Sequence, residues 1–434
     1  MTAPSVLVVW EHGGNLGHIA RLLPVARTLR ERGHPVVFAV AQPQAVAPLL
    51  ANTGVTIVQA PQVSLALPYT TSAACPADIW LRCGFASPPH AKACVLQWLA
   101  LFEEVKPAAI LVDASPVALY AAQVAGIHAV ALGNGFELPP TLPGQSFTPW
   151  QDDQAAGIAY SERVLASALM GLAAGLAKDF PSNKGSSNGV YQANSVSAVL
   201  SLSPQALCTW PELDHFDRAP DVANFVGPIW KDLPGAQTIS WPGKLGAKVL
   251  CYLTLTDKRY DFLWQALQMH GANVLLVSPA GIDWACESAR SWGITVCRKP
   301  VAMGSLLTDC DAVIGYGGTG WASMALLGGK PLMLLPMHLE QGLLAYRLTQ
   351  RGLAVSSLSL LNKEQVRARV AQLLQGTALR GRVTALAQRY AGYEPQQAVD
   401  RVLALLLNGI GPNTAPSTPV PMNKKPERVK CSPL

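Results

Sequence analysis

The feature of this sequence that most restricts its fold is an alternation of short apolar runs with helical patterns, repeated in two series along 434 residues. Continuous apolar runs of about five residues indicate strands that are buried on both faces. Apolar residues at spacings of three and four indicate amphipathic helices. Strands and helices that alternate in this way form parallel sheets covered on both sides, so the chain predicts two α/β domains.

The two series divide the chain into predicted domains. In the first series, strands are predicted at 6–10, 35–40, 109–112 and 128–132, and helices at 19–32, 44–52, 116–125 and 156–176. In the second, strands are predicted at 248–253, 273–277, 312–314 and 331–335, and helices at 260–270, 321–327, 340–351 and 396–407. Between them, 231–247 is rich in proline and glycine, as interdomain linkers often are. We therefore predict domains at 1–230 and 248–410, and a disordered, basic, proline-rich tail at 411–434.

Composition excludes several classes of protein. Half of the residues are apolar and 14% are charged, which is too hydrophobic for a disordered chain. No apolar run approaches the roughly 20 residues of a membrane span, and the N-terminus lacks the basic region of a signal peptide. The nine cysteines form no C-x-x-C pair, which favours reduced thiols in the cytoplasm. The tail supplies half of the net charge of +6, so we expect no nucleic-acid partner and at most peripheral membrane contact.

The first candidate site follows the first predicted strand. Gly13, Gly14 and Gly17 allow close approach of a ligand to the backbone, and His18 stands at the first turn of the next helix. The helix dipole disfavours a charged imidazole at this position, so we expect a neutral ring that can accept a proton. A purely structural histidine is the alternative. A dinucleotide site is disfavoured, because the spacing is not G-x-G-x-x-G and no acidic residue ends the second strand.

Asp113 ends the predicted strand 109–112, at the same edge of the sheet. A carboxylate there could hold the second nitrogen of His18 and stabilise the ring when it takes a proton. Alternatively, Asp113 caps the helix that begins near Pro116.

The second candidate site is the segment 315–341. Gly315, Gly317, Gly318 and Gly320 lead directly into a helix, whose free amides would form a cradle for a diphosphate. An acidic and an amide side chain begin the following helix and could bind sugar hydroxyls. The alternative is a glycine turn that serves packing, followed by an acidic residue that complements a helix dipole.

These motifs, in this order, resemble the GT-B glycosyltransferases, in particular the superfamily of UDP-glucuronosyl, plant and bacterial natural-product glycosyltransferases. The matching positions are Gly17-His18, Pro24, Arg32-Gly33-His34, Asp113, Ala125-Gly126-Ile127, Phe225-Val226-Gly227-Pro228 and the segment 316–341. The likeness covers about residues 5–407. It implies two Rossmann-like domains that face each other across a cleft, the first binding the acceptor and the second a nucleotide sugar.

The resemblance also implies roles for individual residues. The donor ligands would be Thr254, Thr256, Tyr316, Gly317, Gly318, Thr319, Gly320, Glu340 and Gln341, and Gly14 and Gly17 would border the acceptor. The chain departs from the family at three positions. Tyr316 replaces a histidine that contacts a phosphate, Trp321 replaces Ser or Thr, and Met324 replaces an acidic ribose ligand.

The expected function is inverting transfer of a hexose from a UDP- or dTDP-sugar, with His18 as general base and Asp113 as its partner. No metal or other cofactor is expected. The acceptor is expected to be small and apolar or lipid-like, since the candidate pocket segments 65–69, 79–85 and 95–101 are aromatic and aliphatic, unless they only pack the domain. The long segment 139–194 either shapes this pocket or forms a surface loop. Two alternatives are a nucleotide-sugar epimerase and a non-catalytic partner with a weakened donor site.

Overall fold

The structure is a computed structural model that describes residues 3–13, 16–63, 72–180, 188–221, 223–230, 236–256, 259–357 and 362–410. Several predictions therefore fall outside the described residues. They are the role of Gly14, the pocket segment 65–69, the beginning of the linker at 231–235 and the tail 411–434.

The first half of the chain folds into a six-stranded parallel sheet with helices on both faces. Its elements are β1 (Val6–Trp10), α1 (Leu16–Glu31), β2 (Val36–Val40), α2 (Pro43–Leu50), β3 (Thr56–Gln59), α3 (Pro76–Trp80), a π-helical turn (Leu81–Phe85), α4 (Pro88–Val105), β4 (Ala109–Asp113), α5 (Pro116–Ala125), β5 (Ala129–Gly133), α6 (Ala155–Ala177), α7 (Asn188–Gln192), α8 (Val196–Leu200) and β6 (Gln205–Leu207). The strand order is β3-β2-β1-β4-β5-β6. Every residue of β1, β4 and β5 is buried, as expected for strands covered on both faces.

The second half repeats this architecture. Its elements are β7 (Lys248–Tyr252), α9 (Asp261–Met269), β8 (Asn273–Val277), α10 (Asp283–Ser291), β9 (Thr295–Cys297), α11 (Met303–Asp309), β10 (Ala312–Gly315), α12 (Thr319–Leu327), β11 (Leu332–Leu334), α13 (Leu339–Gln350), β12 (Val355–Ser356), α14 (Lys363–Gln375), α15 (Thr377–Arg389) and α16 (Pro395–Asn408). The strand order β12-β11-β10-β7-β8-β9 is the same doubly wound topology, and all pairings in both sheets are parallel. The predicted fold class, two Rossmann-like domains, is confirmed.

The last helix, α16, returns to the first domain. Its buried residues Val399, Val402, Leu403 and Leu406 belong to the core that lies between β1 and α1. Their spacing of three and four residues forms one apolar face, which explains why the helix packs tightly there. His128 Nε2, at the start of β5, lies 3.0 Å from the Leu405 carbonyl oxygen. The helix that ends the second series therefore joins the two domains.

Four strands were missed in the sequence, β3, β6, β9 and β12, and they are the short edge strands of the two sheets. β3 has two exposed ends, and β9 contains no fully buried residue. An edge strand is covered less completely than a central one, so it lacks the continuous apolar run that identifies the others. Among the helices of the described ranges, none has both the length and the hydrophobicity that crossing a membrane requires.

Candidate active site

His18 is the third residue of α1, where the chain enters the helix after the carboxyl end of β1. Gly13 takes a φ of +70°, a left-handed conformation that allows the tight turn between β1 and α1. Gly17 is the second, exposed residue of the helix. The ring of His18 stacks on that of Trp10, with centroids 5.2 Å apart, and its side chain is 20% exposed.

The structure brings His18 and Asp113 together. His18 Nδ1 lies 3.0 Å from Asp113 Oδ1, and Asp113 is completely buried at the end of β4. This places the second ring nitrogen, Nε2, away from the carboxylate. A carboxylate at Nδ1 selects the tautomer in which Nε2 can accept a proton.

Asp113 does not cap α5, which was the alternative role considered for it. The first amides of that helix donate instead to Glu11, from Val117 N at 3.0 Å and from Ala118 N at 3.1 Å. Glu11 also accepts a hydrogen bond from Trp98 Nε1 at 3.0 Å. The buried carboxyl group of Glu11, whose pKa burial raises to about 8, thus stabilises the start of α5 and leaves Asp113 to the site.

Two charged residues that the sequence analysis did not identify complete this cluster. Arg21 Nε donates to Asp113 Oδ2 at 2.7 Å, and Arg21 Nη2 contacts Asp113 Oδ1. The same Nη2 donates to Glu137 Oε1 at 3.0 Å and lies 2.9 Å from His18 Nδ1. Arg21 follows His18 by three residues on α1, so the two side chains share a face of the helix. That spacing was the signal in the sequence that could have identified Arg21.

The charges of this cluster determine the protonation of the imidazole. Burial disfavours a charged His18, but attraction to Asp113 and Glu137 outweighs burial and Arg21, so the pKa of His18 lies above its ordinary value. Burial likewise raises the pKa of Asp113, yet attraction to Arg21 and His18 leaves it below the ordinary value. The helix dipole was expected to lower the pKa of His18, but the two carboxylates are closer, carry full charges and shift it in the opposite direction.

Ligand atoms of His18, Asp113 and Glu137 lie within 4.8 Å of one another, a spacing at which three groups can hold a metal ion. The Arg21 guanidinium already donates to both carboxylates. A cation at this position would have to displace a buried positive charge.

In the second domain, the glycine turn leads directly into helix α12, as predicted from the sequence. Gly317 has a φ of +95°, Gly318 is the N-cap of the helix, and Thr319 and Gly320 are its first two residues. The first amides of α12 therefore have no carbonyl partner within the helix, as at every helix start. Such a start is suited to an anion.

Tyr316 turns towards the protein interior. Its hydroxyl donates to the Thr254 carbonyl oxygen at 2.8 Å and accepts from Thr254 N at 2.8 Å. It also lies 2.9 Å from the hydroxyl of Tyr260. Thr254 is thus held against the glycine turn, whereas Thr256 is exposed in the same loop.

Trp321 and Met324 stand at two positions where the family that this sequence resembles has polar side chains. The indole of Trp321 packs over Gly315, where an added Cβ would come within 2.3 Å of Nε1. It also lies against Tyr252, with the two rings tilted by 39° and their centroids 5.6 Å apart. Met324 packs against the core of the second domain. Neither side chain offers a hydroxyl or carboxylate to a ribose.

Asn134, just after β5, links the two domains. Its Nδ2 donates to Glu340 Oε1 at 2.6 Å and to Thr319 Oγ1 at 3.0 Å. Burial, and then the proximity of Glu137, raise the pKa of Glu340 to about 7. The next residue, Gln341, is buried, and its Oε1 accepts from Met337 N at 2.9 Å. Asn134 and Glu137 were missed in the sequence, because nothing in the run after β5 distinguishes them from other polar loop residues.

A cavity of about 470 Å³ lies beside this charged cluster. Its walls come from both domains and include His12, His18, Ile79, Trp80, Cys83, Leu119, Phe136, Glu137, Pro139, Phe147, His338, Leu339 and Glu340. The predicted pocket segment 79–85 thus supplies part of the wall. The segment 95–101 does not, because Val95, Trp98 and Leu99 are buried in the core. The insertion 139–194 contributes Pro139 and Phe147.

Comparison with known proteins supports the architecture. No protein-family model and no curated protein sequence matches the chain. Three solved structures that do match are the glycotransferase of kitacinnamycin, the calicheamicin glycosyltransferase CalG4 and the glycosyltransferase VinC in complex with dTDP. Their TM-scores are 0.64, 0.64 and 0.61, at 19%, 18% and 17% identity. The matches cover 93%, 95% and 93% of this chain and 99%, 100% and 100% of those chains. The chain therefore has the GT-B fold.

Proposed function

We propose that this protein is an inverting glycosyltransferase that moves a hexose from a nucleoside diphosphate sugar to a hydroxyl of a small apolar acceptor. The observation that carries the proposal is the position of His18. Its ring is hydrogen-bonded to buried Asp113 and borders a cavity whose wall in the other domain includes Glu340. In this proposal the cavity would hold the acceptor beside the base, and the start of α12, joined to Glu340 of the cavity wall through Asn134, would hold the diphosphate.

The reaction would proceed by a single displacement. His18 Nε2 takes the proton of the acceptor hydroxyl, while Nδ1 remains hydrogen-bonded to Asp113. The acceptor oxygen forms a bond to the anomeric carbon as the bond from that carbon to the diphosphate oxygen breaks. The electron pair leaves with the nucleoside diphosphate, the configuration of the sugar inverts, and the proton stays on the imidazolium beside Asp113.

The second domain would bind the donor. The backbone amides at 317–320 and the dipole of α12 would stabilise the charge on the leaving diphosphate. Thr254 and Thr256 would border this site. Tyr316 would act indirectly, because its hydroxyl forms hydrogen bonds with the backbone N and O of Thr254. Glu340 and Gln341 would bind sugar hydroxyls. VinC and the rhamnosyltransferase SpnG were solved with dTDP, which makes a dTDP-sugar the first donor to test.

The direct test compares the purified protein with its His18→Ala variant. Release of nucleoside diphosphate and formation of glycoside are followed by mass spectrometry, with dTDP- and UDP-hexoses as donors and naphthols as acceptors. We expect kcat to fall by about 10²–10⁴-fold in the variant, the usual contribution of a general base. His270→Ala, at the end of α9, is the matched control. Turnover that survives His18→Ala nearly unchanged would show that another group is the base.

A second candidate function is a non-catalytic binding protein of the same fold. It is favoured by Trp321 and Met324, which stand on α12 where the resemblance implies polar ligands, and by the internal hydrogen bonds of Tyr316. Calorimetry with dTDP and UDP separates the two candidates. A protein that binds neither nucleotide, and forms no glycoside, would support the non-catalytic function.

A further inference from the structure

Two groups lie within hydrogen-bonding distance of His18 Nδ1, and they favour opposite tautomers of the neutral ring. The carboxylate oxygen Oδ1 of Asp113, at 3.0 Å, can only accept, so it favours a ring that carries its proton on Nδ1. Arg21 Nη2, at 2.9 Å, can only donate, so it favours a ring that carries its proton on Nε2. Only the first tautomer leaves Nε2 free to take a proton from a hydroxyl.

Arg21 Nη2 has fewer hydrogens than there are acceptors around it. A guanidinium Nη carries two hydrogens, and three acceptors lie within reach of this one. They are Asp113 Oδ1, Glu137 Oε1 at 3.0 Å and His18 Nδ1. The guanidinium is fixed in orientation, because its Nε also donates to Asp113 Oδ2 at 2.7 Å. At most two of the three acceptors can therefore receive a full hydrogen bond from Nη2.

Charge determines which acceptors receive these hydrogens. Asp113 and Glu137 offer carboxylate oxygens, whereas a ring nitrogen that accepts is neutral. Hydrogen bonds from a guanidinium to a carboxylate are the stronger kind, and burial of Arg21 increases the difference. When both hydrogens of Nη2 go to the carboxylates, His18 Nδ1 keeps its own proton and donates it to Asp113.

Glu137 is held in the position that this arrangement needs. Its Oε2 accepts from Asn134 N at 2.8 Å, while its Oε1 accepts from Arg21. Its side chain is 13% exposed and belongs to the wall of the cavity beside His18. Within the described chain no hydrogen bond joins Glu137 to His18, so its effect on the proton of the ring passes through Arg21.

We infer that Glu137 is a positioning residue that sets the tautomer of His18, because it takes the hydrogen of Arg21 that Nδ1 would otherwise accept. Without an acceptor at position 137, Nδ1 is the remaining atom of the described chain within reach of that hydrogen. The proton of the neutral ring then moves to Nε2, which can no longer act as a base. The consequence for catalysis rests on the proposed function, whereas the tautomer can be measured without any activity.

Two substitutions separate this role from the charge of Glu137. Glu137→Met and Glu137→Gln both remove the charge, but the Gln oxygen can still accept from Arg21. ¹⁵N NMR of the histidine rings, at a pH above the titration of His18, shows which nitrogen carries the proton. We expect the proton on Nδ1 in the wild-type protein and in Glu137→Gln, and on Nε2 in Glu137→Met. One charge-assisted hydrogen bond changes such a ratio by about tenfold to a hundredfold.

The same variants should differ in turnover. At a pH above the titration of His18, we expect Glu137→Met to lower kcat by about tenfold or more, and Glu137→Gln to restore most of this loss. A loss confined to kcat indicates the base, whereas damage to the cavity would also raise KM. Glu103→Met, the same change on the exposed face of α4, should alter neither the tautomer nor kcat.

A further measurement needs no variant. In the wild-type protein, NMR coupling across a hydrogen bond between Arg21 Nη2 and His18 Nδ1 should be absent. The inference is overturned if this coupling is present, if the wild-type ring carries its proton on Nε2, or if Glu137→Met leaves the proton on Nδ1. Glu137→Ala repeats the test if the Met variant does not fold. Failure of the proposed function alone gives a different result, namely the expected tautomers in a protein that transfers no sugar.

Discussion

At the scale of single residues, His18, Arg21, Asp113 and Glu137 act as one charged unit. Arg21 compensates one of the two buried carboxylates, and the other leaves an excess of negative charge beside His18. A protonated imidazole balances that excess, which is why the pKa of His18 is raised. A general base must be neutral, so the proposed enzyme would gain activity as the pH rises through this pKa.

Glu137→Gln tests the electrostatic part of this argument. Removing one carboxylate charge lowers the pKa of His18, so the acid limb of kcat/KM against pH should move to lower pH. The measurement is that profile, together with the NMR titration of the His18 ring. Glu103→Gln, exposed on α4, should leave both unchanged. A limb that stays in place, or moves to higher pH, would mean that Glu137 does not set the charge of His18.

At the scale of elements, the carboxyl end of β1 supports two helices of the site. It leads into α1, which carries His18, and its Glu11 holds the start of α5. Glu11 accepts hydrogen bonds from two amides of α5 and from the indole of Trp98 on α4. These contacts join the end of β1 to α4 and α5, and β1 also leads into the helix that carries His18. We therefore expect the position of the dyad to depend on a buried carboxyl group that does not touch it.

Glu11→Ala should destabilise this arrangement. The substitution leaves three buried donors unpaired, and each such donor costs about 1–3 kcal/mol. We expect a loss of at least about 2 kcal/mol in the free energy of unfolding of the first domain, measured by urea denaturation. Glu31→Ala, at the exposed end of α1, is the control and should change it by less than about 0.5 kcal/mol. Equal effects of the two substitutions would contradict the capping role.

At the scale of the whole molecule, the domains are joined by several contacts, two of which bear on the site. Helix α16 packs its apolar face on the first domain, and Asn134 bridges that domain to Thr319 and Glu340 of the second. The bridge ends at the residues proposed to bind the donor. Donor binding and this contact between the domains should consequently affect each other.

Asn134→Ala removes the bridge without touching α16. We expect faster hydrogen–deuterium exchange in the first turns of α12 and α13, by about threefold to tenfold, because their partner side chain is lost. Exchange in β1 and β4 should not change. Asn224→Ala removes a hydrogen bond within the first domain and serves as the control. Unchanged exchange at α12 and α13 would show that the amide bridge does not restrain them.

Much of the fold could be predicted from the sequence because it depends on local patterns. Central strands such as β1, β4 and β8 are buried on both faces, so each is a continuous apolar run. The turn before His18 and the glycine turn before α12 need particular residues at particular positions, and these are visible in the chain. Both carboxyl edges of the sheets, and the residues at them, could be derived in this way.

The remaining features depend on residues that are far apart in the chain. Asp113 is 92 positions from Arg21, and Asn134 is 206 positions from Glu340. No local pattern marks such pairs, because a hydrogen bond between distant residues imposes no spacing on the sequence. The pKa of His18 and the role of Glu11 were decided only when packing brought these groups together and excluded water from them.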